Sequence, residues 1–333
     1  MSRAGKLVAI FATLTLTLLF APTTAGATTS IKIAIAYDLG GRGDHGINDA
    51  AAKGVDAIKK RYGLTAFSVR EVATNGSESD RESRLKFLAA AHYNLVIAVG
   101  ASYAQAVTVA SLAYISTQFA LINDSSVGDL NISDMVFSNP DGAYLAGVLA
   151  GAATKRNKVG FLAPNDLSTN FTYFKRGVAS VNPKAIVLGQ SIEGLPASAT
   201  QALTSQGVDV IFSLWSSTTE VQDSVAALAG TKHPVYLIGV NPDQYFLLSK
   251  NTRRILLGAV SKHINTAVAD VMVAAIKEET VIDTLDAKQG IYGHMYTVKD
   301  GGVSVALTAL GARYSVKIAT AIAAIKSGKV KLP

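Results

Sequence analysis

The stretch IKIAIAYDLGGRGDHGINDAA, residues 31–51, decides the fold. Its first seven residues form an Ile-rich run without polar alternation, as in a strand covered on both faces. Asp38 closes that run, a glycine-rich turn follows, and from Ile47 the pattern turns helical. Strand, glycine turn and helix in that order form the place where α/β proteins hold ligands. The turn contains a literal G-x-G-x-x-G at residues 41–46, with Glu71 further on in the position of a ribose-binding acid. Two carboxylates argue against a dinucleotide, because Asp38 and Asp44 would repel a pyrophosphate drawn to the helix N-terminus. No hydride-transfer pair stands out either. In a binding module the same glycines permit a tight turn, while Asp38 and Asn48 offer donors and acceptors to a neutral polar ligand. The plainer alternative is that Asp38 only caps the helix and the glycines only turn the chain.

Apolar runs recur along the chain, among them NLVIAVG (94–100), QFALIN (118–123), KVGFLA (158–163), DVIFSLW (209–215) and PVYLIGV (234–240), separated by stretches with helical spacing. This rhythm predicts parallel sheets with crossover helices. It restarts at KVGFLA after FSNPDGAYLAGVLAGAATKR, and 333 residues exceed what one doubly wound domain needs. The expectation is an α/β protein of two Rossmann-like lobes, divided first near residues 138–140, with the ligand between them.

With 49% hydrophobic and 17% charged residues the chain can bury large cores. The net charge of +7 is spread without basic blocks or interleaved aromatics, so no nucleic-acid partner is expected. MSRAGK followed by LVAIFATLTLTLLFA and Ala25-Gly26-Ala27 reads as a secretory leader, residues 1–27, leaving a protein soluble in the periplasm or outside the cell. Cysteine is absent, which excludes disulfides, thiolate catalysis and a lipoprotein anchor. The five histidines lack metal-ligand spacing, and no G-x-S-x-G, Walker A or H-E-x-x-H motif occurs. Neither a metal, a cofactor nor a catalytic group is expected.

IAIAYDLGGRGDHGINDAAAKGV resembles the N-terminal signature of the BMP family, the basic membrane protein or purine nucleoside receptor type of ABC-transporter solute-binding proteins. NPDGAYLAGVLAGAATK, QGVDVIFSLWSSTTE, GVNPDQY and VKDGGVSVAL resemble later family segments in order. The resemblance implies a type I periplasmic-binding-protein fold, with lobe 1 at 28–138 plus about 256–287 and lobe 2 at 139–255 plus about 288–333. It also implies a monomeric, non-enzymatic carrier that captures a nucleoside-like molecule by lobe closure and delivers it to an ABC permease. A sensory module, or a carrier for a flavin or other non-nucleoside, stays open beside it.

By position, the resemblance makes Asp38 and Asn48 the nucleobase hydrogen-bonding pair and puts Ile47 where the family has a stacking aromatic. Asn123 replaces a strand-end Asp, with Asp124 beside it as a substitute. The sugar side falls on Ser216, Ser217, Asn241 and Lys262, with Trp215 as a candidate stacking surface. Asp38 is expected to receive ligand N–H groups without competition from a side chain in the turn and to matter little for stability.

Overall fold

The computed structural model describes residues 31–333 apart from 64, 66, 165–167, 194, 215–219, 230–233 and 280–282. The expected leader, together with Trp215, Ser216 and Ser217, lies outside the described residues.

The chain first lays down β1 (Ile31–Tyr37), α1 (Ile47–Tyr62), β2 (Phe67–Ala73), α2 (Glu78–Ala90), β3 (Leu95–Val99), α3 (Ala104–Ala113), β4 (Gln118–Ile122) and β5 (Ile132–Phe137). It continues with α4 (Asn139–Ala153), β6 (Lys158–Ala163), α5 (Ser168–Val181), β7 (Ile186–Ser191), α6 (Pro196–Thr204) and β8 (Val210–Ser213). Then come α7 (Glu220–Ala229), β9 (Tyr236–Val240), α8 (Lys250–Ile255), β10 (Leu256–Lys262) and α9 (Ile264–Ile276). The last elements are β11 (Asp283–Asp286), β12 (Ile291–Tyr296), β13 (Val303–Leu307) and α10 (Ser315–Lys326).

Two sheets result, ordered β11-β12-β5-β4-β3-β1-β2 and β13-β10-β9-β8-β6-β7. All pairings are parallel except β11 on β12 and β13 on β10. The architecture is the type I periplasmic-binding-protein fold expected above. In β1, Ile33, Ile35 and Tyr37 pack with α1 and α9 on one face, while Ala34 and Ala36 meet α2 and α3 on the other. That is why the run is apolar without alternation. α1 and α9 lie close because Gly54 has no side chain: a Cβ there would stand 2.5 Å from the Asn265 carbonyl oxygen. α4 opens with Ser138 accepting the Asp141 N–H and carries Pro140 in its first turn. It is buried nearly all round between its sheet, α5 and α10, which explains its composition of Ala, Gly and Leu.

The lobe boundaries differ from those expected late in the chain. β10 pairs with β9 and β13, so residues 256–262 belong to the second sheet. β12 pairs with β5, so residues 291–296 complete the first. Both strands are apolar enough to suit either sheet, and their partners are distant in sequence, so local pattern could not assign them. The chain thus crosses between lobes at Phe137–Ser138, at Lys262–His263 and between Tyr296 and Val303. The crossings run side by side: Ser138 N–H donates to the Tyr296 carbonyl (2.8 Å), and His263 N–H to that of Gly302 (2.9 Å). Asp141, buried at the head of α4, accepts the Val298 N–H at 2.6 Å.

Candidate functional site

The C-terminal ends of both sheets face each other across a cavity of about 730 Å³, a volume suited to a small organic ligand. β1 delivers Asp38, β4 Asn123, β9 Asn241 and β10 Lys262 to its wall, and Ile47 enters from the start of α1. These sequence-predicted residues do converge.

The glycine turn is built around its own acids. Gly41 N–H closes the turn onto the Asp38 carbonyl at 3.0 Å, with Gly41 at φ 58° and Gly43 at φ 98°, conformations that favour glycine. The Asp44 carboxylate accepts the N–H groups of Gly46 (2.8 Å), Asn48 (3.1 Å) and Asp49 (3.1 Å). It therefore occupies the helix terminus to which a dinucleotide would bring its pyrophosphate. Glu71 is equally committed, accepting Tyr37 Oη (2.8 Å), Arg42 Nε (2.7 Å) and Lys59 Nζ (2.6 Å). Burial works against its charge, but these hydrogen bonds prevail and hold its pKa at about 2. The G-x-G-x-x-G match is a turn, without the chemistry of a dinucleotide site.

The side chains that compete for Asp38 come from outside the turn. Arg81 on α2 reaches its Oδ1 (2.8 Å), and Ser102, just beyond β3, donates to its Oδ2 (2.6 Å). Burial pushes the carboxyl pKa up, yet Ser102, Arg81 and the Leu39 N–H together outweigh it and hold the group below its ordinary value. Tyr103 supports the arrangement, its ring 5.6 Å from the guanidinium and its hydroxyl donating to the Tyr37 carbonyl. The oxygens of Asp38 retain acceptor capacity toward the cavity.

Asn48 departs from its expected role. It is buried, its Oδ1 accepts the Asp38 N–H (2.9 Å), and its amide donates to the carbonyls of Asp38 and Leu39 (3.3 Å each). It holds the turn that presents Asp38 and does not line the cavity. Asp124 also turns away, accepting both the N–H and the hydroxyl of Ser126. Of the neighbouring pair, Asn123 is the one that faces the cavity.

Lys262 projects from the end of β10 and donates to Asn123 Oδ1 at 2.8 Å, joining the two lobes through the site. Desolvation lowers its pKa to about 8. At the rim, Lys53 on α1 pairs with Asp243 beyond β9 (2.7 Å), and the rings of His45 and Phe246 lie 5.8 Å apart. Phe212 from β8, packed against Phe161 and Phe174, lies fully buried behind the second lobe's side of the cavity.

Sequence reasoning missed Arg81, Ser102 and the Lys53–Asp243 bridge. Arg81 sits in a helix whose charges read as a solvated face. Only the adjacency of β1 and β3 brings Ser102 to Asp38.

A two-lobed α/β protein with a polar cavity between its lobes is a ligand-capturing module, and comparison with known proteins places it further. Residues 31–315 match the Bmp family model, described as ABC transporter substrate-binding protein PnrA-like, and the chain belongs to that family. A nucleoside-binding protein of an ABC transporter, BmpA of Lactococcus lactis, is 26% identical over 335 aligned residues, covering 92% of this chain and 90% of that one. The CD4+ T-cell-stimulating antigen of Listeria monocytogenes is 29% identical over 228 residues, 64% of this chain. The match spans 63% of that relative, less than two thirds of its length. A solute-binding protein of an ABC transporter system from Aeropyrum pernix superposes with a TM-score of 0.66 at 17% identity, over 91% of this chain and 93% of that one. That likeness concerns the fold.

Proposed function

We propose that this protein is an exported, monomeric solute-binding component of an ABC importer, capturing a nucleoside or related heterocyclic metabolite by lobe closure and handing it to a permease. The observation that carries the reading is the convergence of Asp38, Asn123, Asn241 and Lys262 from four strand ends and both lobes on one cavity. A ligand satisfies these groups together only when the lobes meet, so its affinity is greatest for the closed form. Asp38 offers acceptor oxygens to ring N–H or exocyclic amino groups, and Ile47 an apolar wall. Family membership and the resemblance to BmpA of L. lactis support the ligand class, and the N-terminal pattern supports export.

The test is mass spectrometry of the small molecule that co-purifies with the protein, followed by calorimetry against a panel of purine and pyrimidine nucleosides. A nucleoside bound with micromolar or tighter affinity is the expected result. A panel without binding, beside a co-purified molecule of another class, overturns the ligand assignment and leaves the family intact.

A further inference from the structure

Among the described residues, the carboxylates that line the cavity all have partners, and one ammonium has no carboxylate partner. Asp38 is paired with Arg81, Asp243 with Lys53, and Asp44 with the backbone N–H groups at the start of α1. Lys262 has no carboxylate partner among the described residues; its ammonium meets the amide oxygen of Asn123. The other polar groups nearby, Asn241, Ser261 and Asn265, are neutral as well. A second positive element stands beside it. α9 begins two residues after Lys262 with no side-chain N-cap, because the ring of His263 is turned to the Ser304 hydroxyl at 2.8 Å. Ile264 and Asn265, its first residues, line the cavity. A desolvated ammonium and an uncapped helix terminus facing one space form a field that favours a negative charge.

A charge-compensated acceptor lies across the cavity. Asp38 follows β1 and Asn123 follows β4, with β3 between those strands, so the Arg81-paired carboxylate and the Lys262 end stand about 10 Å apart at ordinary strand spacing. The site is thus polarised along its length, with a hydrogen-bond-accepting carboxylate at one end and an unopposed ammonium at the other.

Resting on the carrier reading above, we propose that the physiological ligand is an anion, a heterocyclic metabolite whose donor edge faces Asp38 and whose carboxylate or phosphate ester seats against Lys262 and the start of α9. The ligand supplies the countercharge that Lys262 lacks among the described residues. Lys262 then sets specificity, selecting the acidic member of a ligand family over its neutral parent.

The experiment is calorimetry of the purified protein with matched neutral and anionic pairs: adenosine and adenosine 5′-monophosphate, uridine and uridine 5′-monophosphate, riboflavin and flavin mononucleotide. The wild-type ratio within each pair is the primary readout, so the test does not depend on any variant folding. A charge-assisted contact predicts a ten- to hundredfold preference for the anionic member of whichever pair binds. In Lys262→Met that ratio falls toward one, and Lys262→Arg restores part of it. A neutral nucleoside bound as tightly as its monophosphate overturns this inference and leaves the nucleoside reading standing. Selection of flavin mononucleotide with no nucleoside bound upholds the inference and overturns the nucleoside reading. Binding of no member of any pair counts against both.

Discussion

Replacing Asp38 by alanine is expected to damage the fold and the site together, and the two losses can be separated. The Arg81 side chain is 12% exposed and that of Asp38 26%, so the pair is largely withdrawn from water. Removing the carboxylate strands the guanidinium and deprives Ser102 of its acceptor. Breaking a fully buried pair costs about 3–5 kcal/mol, and the residual exposure here brings the expected loss to about 2–3 kcal/mol. The expectation that Asp38 matters little for stability is therefore replaced. Ligand affinity should fall by a further ten- to hundredfold, about 1.5–3 kcal/mol for a hydrogen bond to a charged group. Asp38→Ala combined with Arg81→Met removes the stranded charge. In this double variant the unfolding free energy from urea titration should return to within about 1 kcal/mol of wild type, while calorimetry still shows weak binding. Because the folded carboxyl titrates below its ordinary value, its stabilisation is complete above the ordinary carboxylate range and lost as pH falls through the folded value. The variant should lack that part of the acid dependence. Unfolding of Asp38→Ala at the wild-type midpoint would refute the structural argument, and recovery of binding in the double variant would refute the recognition argument.

Asp134 on β5 is buried with neither carboxylate oxygen hydrogen-bonded; burial, aided by the charge of Asp124, raises its pKa from 3.8 to about 8. The folded state keeps a proton that the unfolded state releases, so this group costs stability increasingly as pH rises from about 4 to 8. Asp134→Asn should flatten that slope in urea titrations at pH 5, 7 and 9, and an unchanged slope excludes the burial argument. Gly177→Ala would put a Cβ 2.0 Å from the Tyr144 carbonyl where α5 meets α4, and a loss of about 2 kcal/mol or more in thermal unfolding is expected, against a few tenths for a tolerated site. The Lys53–Asp243 bridge joins the lobes at the rim with side chains 60% and 32% exposed, so Lys53→Met should weaken ligand binding only two- to fivefold at low salt and not at all at 0.5 M salt. A larger, salt-independent loss would show that Lys53 touches the ligand.

Strands β1, β3 and β4 and the division near residue 138 were legible because each of these strands is a short apolar run, whereas β5 follows β4 without a helix between them and carries Ser133 and Asp134 in its run. The final third was not, since β10 and β12 carry the same kind of pattern as strands of either sheet and choose partners far away in sequence. At the site, Asp38 was legible from its place at a strand end ahead of glycines. Its pairing was not, because Arg81 lies 43 residues away on another element and only the folded sheet brings α2 over the end of β1. Asn48 was found in the right place with the wrong direction: sequence marks a polar residue at the start of a helix, while the backbone path decides whether its amide meets a ligand or the turn it follows. Choosing between Asn123 and Asp124 likewise depended on the Ser126 turn that captures the carboxylate.

The threading of β12 and β13 bears on how such a chain is made. β5 stays at an open edge of the first sheet until residues 291–296 exist, and β10 at an open edge of the second until residues 303–307 do. Neither half can finish before nearly the whole polypeptide has been synthesised. A nascent or prematurely terminated chain would hold two apolar strand edges without partners, the surfaces on which chains stick to one another.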